Sequence, residues 1–360
     1  MVAMLYYNEM KYYHQTTLFL IVLFLIVIVR CKERETTYQE VRTEIQPKLD
    51  IDIIRYDQII ADLDTSDILW DYKEKTDRII PFRRLHDDQL LGLSDDQALK
   101  KELLSLKRDT SYDNLYQEIQ DILGDLQEER RALAQTFENR NALLGLPSQE
   151  LPDVYGFISG FTYQSFVFDD GGRDGIGIGL EMYLGDEFPY QKIFGSDTRF
   201  SSYLVRTYNK EHLVRKVAEV LAEDALGPPQ GSDFLSLMIW GGKKLYLIDE
   251  MISFAPDSIV TEYTQEQLDW CRDNEAQMWS HFFEYDLFYE TDIKKFSKLI
   301  SSAPTSPGMP AESPGQTANY MGWQVIKAFM NRHPDITVTE MLSIQDAQEI
   351  LDGSKYKPAR

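Results

Sequence analysis

Apolar residues recur every three to four positions through the first part of the chain, over 51–146. This spacing is typical of amphipathic helices, whose apolar stripe faces a core. The longest stripe covers 114–137, and we expect a single long helix there. The preceding segment, 32–50, is polar and has no sustained period, which predicts a tether.

The pattern changes after residue 152. The stretch 154–168 is aromatic and β-branched, the four residues Asp169-Asp170-Gly171-Gly172 are a turn signal, and 176–184 is again apolar. Two such runs around a short polar turn indicate a β-hairpin. Alternate residues of the second run are glycine, and we expect another part of the protein to approach that strand closely.

The remainder of the chain returns to helical spacing. Asp233 is placed to cap a helix over 234–254, and its glycine pair Gly241-Gly242 predicts tight packing against a neighbour. The other predicted helices, and a loop rich in proline, are 210–226, 264–289, the loop 301–316, 318–332 and 343–351. The fold class expected is therefore α+β and mainly helical, with a small antiparallel sheet. A helical half, 51–146, precedes a hairpin-containing half, 147–358.

The formal net charge of −22 argues against binding to nucleic acid, since a phosphate-binding surface needs clustered lysine and arginine. The chain has two cysteines, Cys31 and Cys271, which are too few for a disulfide framework.

The N-terminus has the pattern of a targeting segment. Residues 18–29 are an unbroken apolar run, which is the length of a signal h-region, and Met10-Lys11 begins a basic n-region that makes Met10 a candidate start. Cys31 follows the run and resembles the lipidated cysteine of bacterial lipoproteins, although Arg30 departs from the small residue usual there. We expect residues 1–31 to be a lipoprotein signal; an uncleaved anchor or a chance cysteine are the alternatives. Each places the body outside the cytoplasm.

The candidate chemistry lies in Ala218-Glu219-Val220-Leu221-Ala222, within the predicted helix 210–226. It has the layout of the zinc-peptidase motif H-E-x-x-H, with the glutamate kept and alanine at both histidine positions. Two histidines one turn apart bind Zn²⁺ and the glutamate activates water, whereas alanine can do neither. The alternative interpretation is an ordinary helix, in which Glu219 and Glu223 form an exposed pair neutralised by Arg215.

A peptidase of this layout takes its third ligand from the following helix, where a glutamate stands before a glycine. Here Trp240 precedes Gly241. The five histidines are scattered along the sequence and do not replace the missing ligands. We expect no metal, no other cofactor and no catalytic residue.

A hairpin followed by this helix and then a second helix is the order of parts in zincin metallopeptidases. Several longer stretches resemble the gliding motility lipoprotein GldB family, and the most specific is Ser313-Pro314-Gly315 followed by Met321-Gly322-Trp323-Gln324-Val325. The other matching stretches are 51–57, 106–116, 154–163, 176–185, 241–249, 263–279 and 354–358.

The resemblance implies a membrane-anchored cell-envelope lipoprotein of the gliding machinery, facing the periplasm and acting through contacts with other envelope proteins. It also implies a zincin-like scaffold that has lost its metal. The candidate cleft residues are Trp240, Ser313, Gly315 and Trp323, and an extended segment added to the hairpin edge is a candidate ligand. Two alternatives stay open: a zinc-type peptidase or other hydrolase with unrecognised catalytic residues, and a peptide- or glycan-binding envelope module that uses aromatic side chains.

Overall fold

The computed structural model describes residues 37–93 and 95–358. The chain divides into two compact units, Met1–Val41 and Arg42–Arg360. Helix α1 (Tyr38–Glu44) begins in the first unit. Its start has the T-x-x-E capping pattern: the Glu40 N–H donates to Thr37 Oγ1 at 3.2 Å, and the Thr37 N–H donates to Glu40 Oε2 at 2.8 Å.

The second unit is mainly helical, as predicted, with 3₁₀ turns at Asp77–Ile79, Leu180–Tyr183 and Thr198–Phe200 and a π-helical turn at Leu85–Leu90. Its helices are α2 (Tyr56–Ala61), α3 (Ile68–Lys75), α4 (Ile80–Arg84), α5 (Asp96–Leu106), α6 (Thr110–Leu123), α7 (Gln127–Leu144), α8 (Tyr190–Phe194), α9 (Ser202–Val205), α10 (Leu213–Leu226), α11 (Phe234–Met251), α12 (Asp257–Thr261), α13 (Gln265–Asp273), α14 (Glu275–Glu284), α15 (Ile293–Ile300), α16 (Thr317–Arg332), α17 (Val338–Ser343) and α18 (Ala347–Ser354).

Four strands form one sheet in the order β1-β2-β4-β3: β1 (Ile53–Arg55), β2 (Asp153–Phe157), β4 (Asp174–Gly179) and β3 (Ser165–Asp169). The predicted hairpin is β3–β4, which is antiparallel, but β2 pairs parallel with both β1 and β4. The expected antiparallel sheet is therefore wrong in detail, because the sheet is mixed. The stretch expected to be one strand is two, β2 and β3, separated by a loop in which Phe161 has a positive φ of 61°.

The two faces of the sheet are covered by different helices. On one face Phe82 of α4 stacks on Tyr155 with ring centroids 4.4 Å apart, and the rings of Phe166 and Phe168 lie on the same side. A Cβ at Gly177 would come within 2.3 Å of the Phe166 ring, which explains the alternating glycines of β4. On the opposite face α10 packs against β3 and also against α7 and α11. The sheet thus lies between two helical layers.

The segment expected to be a tether differs from the structure. It contains α1, and in the second unit Arg42 is buried and forms an ion pair with Glu129 of α7. The Leu49 N–H donates to the carboxylate of Glu138 at 2.6 Å. Residues 42–50 are therefore attached to the helical layer that contains α7.

Two predicted helices are each divided in the structure. The apolar stripe 114–137 is shared by α6 and α7, which separate at Gly124 and Leu126, both at positive φ. The predicted helix 264–289 ends at Asp273 and restarts at Glu275 as a second helix. Hydrophobic spacing does not detect these breaks, because the stripe continues in phase across them.

Helices α11 and α16 cross at glycines, as Gly241-Gly242 predicted. A Cβ on Gly242 would lie 2.2 Å from the Gly322 carbonyl carbon, and a Cβ on Gly322 would lie 2.0 Å from the Met238 carbonyl oxygen. No side chain fits at that distance, so the two backbones are in direct contact. This crossing fixes the position of α11 relative to α16, and α11 in turn packs on α10.

Candidate functional site

Helix α10 places its alanines and its glutamate in different environments. The helix ends at Gly227, whose φ of 63° suits glycine. Ala218 and Ala222 are fully buried, whereas the Glu219 side chain keeps 22% of its surface exposed. The two positions that would be metal ligands in a peptidase are thus core methyl groups.

Glu219 lies in a cluster of ion pairs built from two helices, α10 and α11, and the residue that follows α12. Arg215, one turn earlier, forms a short bond to its carboxylate, and Lys244 of α11 lies 3.0 Å away. Lys216 lies 3.7 Å away and also pairs with Glu262, which follows α12, at 2.9 Å. We call these residues, together with Glu223, the Glu219 cluster.

The prediction that Glu219 and Glu223 form an exposed pair therefore holds for Glu223 but not for Glu219. Glu223 is 44% exposed and contacts Lys244 at 2.9 Å. Glu219 is more enclosed, because Lys244 reaches it from α11 and the Arg215 side chain beside it is only 4% exposed. Neutralisation by Arg215 is confirmed, but Lys244 and Glu262 were missed since they come from other elements.

The charges of the cluster determine the protonation of its carboxylates. Burial acts to raise the pKa of Glu219, but Arg215, Lys244 and Lys216 outweigh it and hold the pKa well below its ordinary 4.5. Glu262 behaves alike: burial raises its pKa, and Arg215 and Lys216 more than offset this. Both groups are therefore carboxylates near neutral pH.

A carboxylate in this setting is poorly suited to metal-assisted hydrolysis. Each of its two oxygens accepts a hydrogen bond from a cation, and a divalent ion beside it would meet the charges of Arg215, Lys216 and Lys244. A general base also needs a pKa near the working pH, and that of Glu219 is shifted in the opposite direction.

Tyr183, at the end of the 3₁₀ turn Leu180–Tyr183, contacts the outer strand of the hairpin. The Tyr183 hydroxyl and Ser165 Oγ on β3 are 2.8 Å apart. Burial raises the pKa of Tyr183 above its ordinary value, and the carboxylates of Glu262 and Glu219 add to the rise. Helix α10 also packs directly on the edge strand β3.

The four candidate cleft residues do not line one cleft. Trp240 contacts the end of α10, where its Nε1–H donates to the Gly227 carbonyl at 3.0 Å. Ser313 and Trp323 are buried at 1% and 0% exposure. Gly315 lines a separate small cavity, and its carbonyl accepts a hydrogen bond from the Tyr263 hydroxyl at 2.7 Å.

Among residues 37–93 and 95–358, no three His, Cys, Asp or Glu side chains are grouped so as to hold a metal ion. His212, at the start of α10, pairs with Asn209 at 2.9 Å, and burial lowers its pKa to about 4. His281 packs on Tyr285, with ring centroids 4.5 Å apart. Cys31, the expected lipid attachment site, lies outside the described residues.

One polar network was not anticipated. His86 is buried in the π-helical turn; its Nδ1 lies 3.2 Å from Asp87 Oδ1 and 3.4 Å from the Tyr56 hydroxyl. The Tyr56 and Tyr72 hydroxyls share a short hydrogen bond, and Tyr72 donates to Asp87. These groups satisfy one another within the aromatic core. The only sequence signal was a His-Asp pair in a helical stretch.

A second such network surrounds Glu181. Its carboxylate accepts hydrogen bonds from Ser159 Oγ at 2.5 Å and from the N–H groups of Ser159 and Phe161 at 2.8 and 2.7 Å. Burial raises the pKa of Glu181, while those hydrogen bonds oppose the rise. This carboxylate holds the loop between β2 and β3.

These features define a class: a mainly helical α+β protein whose best candidate for a catalytic carboxylate is ion-paired on a packed helix. A family model described as gliding motility protein GldB matches residues 36–358. The match covers most of the chain, so this protein belongs to the gliding motility protein GldB family, as the sequence resemblance indicated. The family label marks a lipoprotein.

No curated protein and no solved structure matches significantly. Among the described helices, none combines the length and apolar character needed to span a bilayer.

Proposed function

We propose that this protein is a non-catalytic lipoprotein of the cell envelope, anchored through Cys31 and acting in gliding through contacts with other envelope proteins. The observation that carries the proposal is the pairing of Glu219 with Arg215, Lys216 and Lys244. An ion-paired carboxylate between core alanines is a structural element. In this proposal the scaffold is related to zincin peptidases and has lost the metal.

The free edge of β3 is the contact surface that we propose for an extended partner segment. The Gly179 N–H donates to the Gln164 carbonyl, and the Asp170 N–H donates to the Arg173 carbonyl. With the register of the two strands, these bonds determine which residues of β3 are hydrogen-bonded to β4. In antiparallel pairing, bonded and non-bonded positions alternate, so the N–H and C=O of Val167 point away from β4. Among the described residues no strand pairs with that side. An unpaired edge accepts another strand through its backbone groups.

Crosslinking in cells tests this proposal. A photoreactive residue at Asp169, exposed at the end of β3, is expected to capture an envelope protein, whereas the same residue at exposed Trp70 on α3 is not. Val167→Pro removes an outward N–H without removing a ladder bond and should abolish the capture. Equal capture from both positions, or capture unchanged by Val167→Pro, would contradict the proposed edge contact.

A further inference from the structure

Lys243 of α11 is a buried cation outside the Glu219 cluster. Its side chain is among the buried charged groups, at 6% residue exposure. Its ammonium donates to the carbonyls of Ile344 at 2.7 Å and Leu342 at 3.2 Å, at the C-terminal end of α17. An ammonium has three donors, so these bonds leave one hydrogen unused.

No carboxylate balances this charge among the described residues, in which Lys243 forms no ion pair. Burial alone lowers the pKa of Lys243 to about 8. The adjacent lysine is a useful contrast: burial acts to lower the pKa of Lys244, but Glu219 and Glu223 reverse the shift and raise it. The two carbonyl oxygens accept two hydrogen bonds from Lys243 but bring no net negative charge.

Lys243 also faces a cavity of about 150 Å³ between the start of α11 and the segment that joins α17 to α18. Ile239 and Trp240 provide an apolar wall, and Ser236, Ser343 and Gln345 provide polar groups. The space is several times that of one water molecule, which takes about 30 Å³ in the liquid. It can therefore hold a small group with a charged end and a short apolar part.

We propose that this cavity binds a carboxylate, which forms an ion pair with the third donor of Lys243 while its carbon chain lies against Trp240. The carboxylate belongs either to a free short-chain acid or to the C-terminus of a polypeptide. A negative charge here compensates a buried positive charge, which is the condition under which an ion pair in a partly dry site is most favourable. The inference does not depend on the function proposed above.

Calorimetric titration of the full chain tests the proposal with three probes: propionate, a tripeptide with a free C-terminal carboxylate, and the same tripeptide as a C-terminal amide. We expect binding of one or both acids and none of the amide. Binding of propionate identifies a small acid as sufficient, and binding of the tripeptide acid alone identifies a polypeptide terminus. Lack of binding by both acids, or equal binding of the amide, would overturn the proposal.

Lys243→Met removes the charge at similar length and should weaken binding roughly 10- to 100-fold, the range expected for a charge-assisted hydrogen bond. Lys298→Met on α15, where the lysine is exposed, is the matched control and should bind as the wild type does. If Lys243→Met does not fold, thermal stabilisation of the wild type by the acid but not the amide still decides the question. Unchanged affinity in folded Lys243→Met would also overturn the proposal.

Discussion

Glu219→Gln is the substitution that most directly perturbs the Glu219 cluster. The amide has nearly the shape of the carboxylate, so the packing around Ala218 and Ala222 should be preserved. What changes is the charge that faces Arg215 and Lys244. The effect on stability therefore measures the electrostatic role of Glu219.

The size of this effect follows from the partners that remain. Leaving a buried charge without any partner costs about 3–5 kcal/mol. Here Arg215 keeps Glu262 at 3.3 Å and Lys244 keeps Glu223 at 2.9 Å, so neither cation is left alone. We therefore expect Glu219→Gln to lower the free energy of unfolding by about 2 kcal/mol, between an exposed and a fully buried pair.

Urea denaturation of the full chain, followed by circular dichroism, measures this change as a lower midpoint with an unaltered slope. The matched control is Glu223→Gln on the same helix, where the carboxylate is 44% exposed. Its cost should be below about 1 kcal/mol, as for exposed pairs. The reasoning is refuted if Glu219→Gln is as stable as the wild type, or if the two variants lose equal stability.

The difference in stability between the wild type and Glu219→Gln should depend on pH. Because the folded-state pKa of Glu219 is depressed below 4.5, its contribution is fully present above that pH and is lost as the pH falls through the folded pKa. The stability difference between wild type and Glu219→Gln should therefore be constant near neutrality and shrink in acid. A difference that grows on acidification would show that the sign is wrong.

Three further predictions concern other residues. Gly242→Ala should destabilise by about 2 kcal/mol or more in urea denaturation, because its Cβ would meet the backbone of Gly322 at 2.2 Å and overpacking outweighs helix propensity. Ala218→His combined with Ala222→His should bind no stoichiometric zinc by metal analysis, since both positions are in the core and the neighbouring charges are positive. Cys31→Ser should lose palmitate labelling in cells.

Each of these has a control and a contradicting result. Gly241→Ala is the control for the helix crossing, since its Cβ would meet the side chain of Asn319 and not a backbone, and it should cost less than Gly242→Ala. Equal costs would contradict the backbone contact. Cys271→Ser is the control for labelling and should leave it unchanged; palmitate retained in the Cys31 variant would exclude that cysteine as the attachment site. One zinc per chain in the double-histidine variant would contradict the core placement of both alanines.

Local signals predicted the parts of the fold that depend on adjacent residues. Asp233 accepts the Ser236 N–H at 3.0 Å and caps α11, and Asp169 accepts the Gly172 N–H at 2.6 Å in the hairpin turn. In each case a short side chain bonds to a backbone group within three residues. The partners in such contacts are neighbours along the chain, so the sequence alone predicts them without knowledge of which distant segments meet.

The sheet order could not be derived in this way. The strand β1 is three residues long and lies in a stretch with helical spacing, yet it pairs with β2, about a hundred positions later: Ile53 is opposite Val154. Parallel pairing over that separation is decided by the packing of helices on both faces. The mixed sheet follows from this non-local contact.

Only part of the candidate site was predicted, because some of its residues come from segments distant in the sequence. Arg215 lies one turn from Glu219 and was recognised as its partner, but Lys244 and Glu262 reach the cluster from other elements. The cleft residues were grouped by their place in a motif, and the structure separates them because Trp323 packs inside the core while Trp240 lies at the end of α10.

The central claim is that the carboxylate of Glu219 is an ion-pair partner and not part of a metal centre. Zinc content of the purified full chain, measured by mass spectrometry before and after chelation, tests it most directly. We predict far less than one zinc per chain, with no change in Glu219→Gln. One tightly held zinc per chain in the wild type, lost in Glu219→Gln, would contradict the claim.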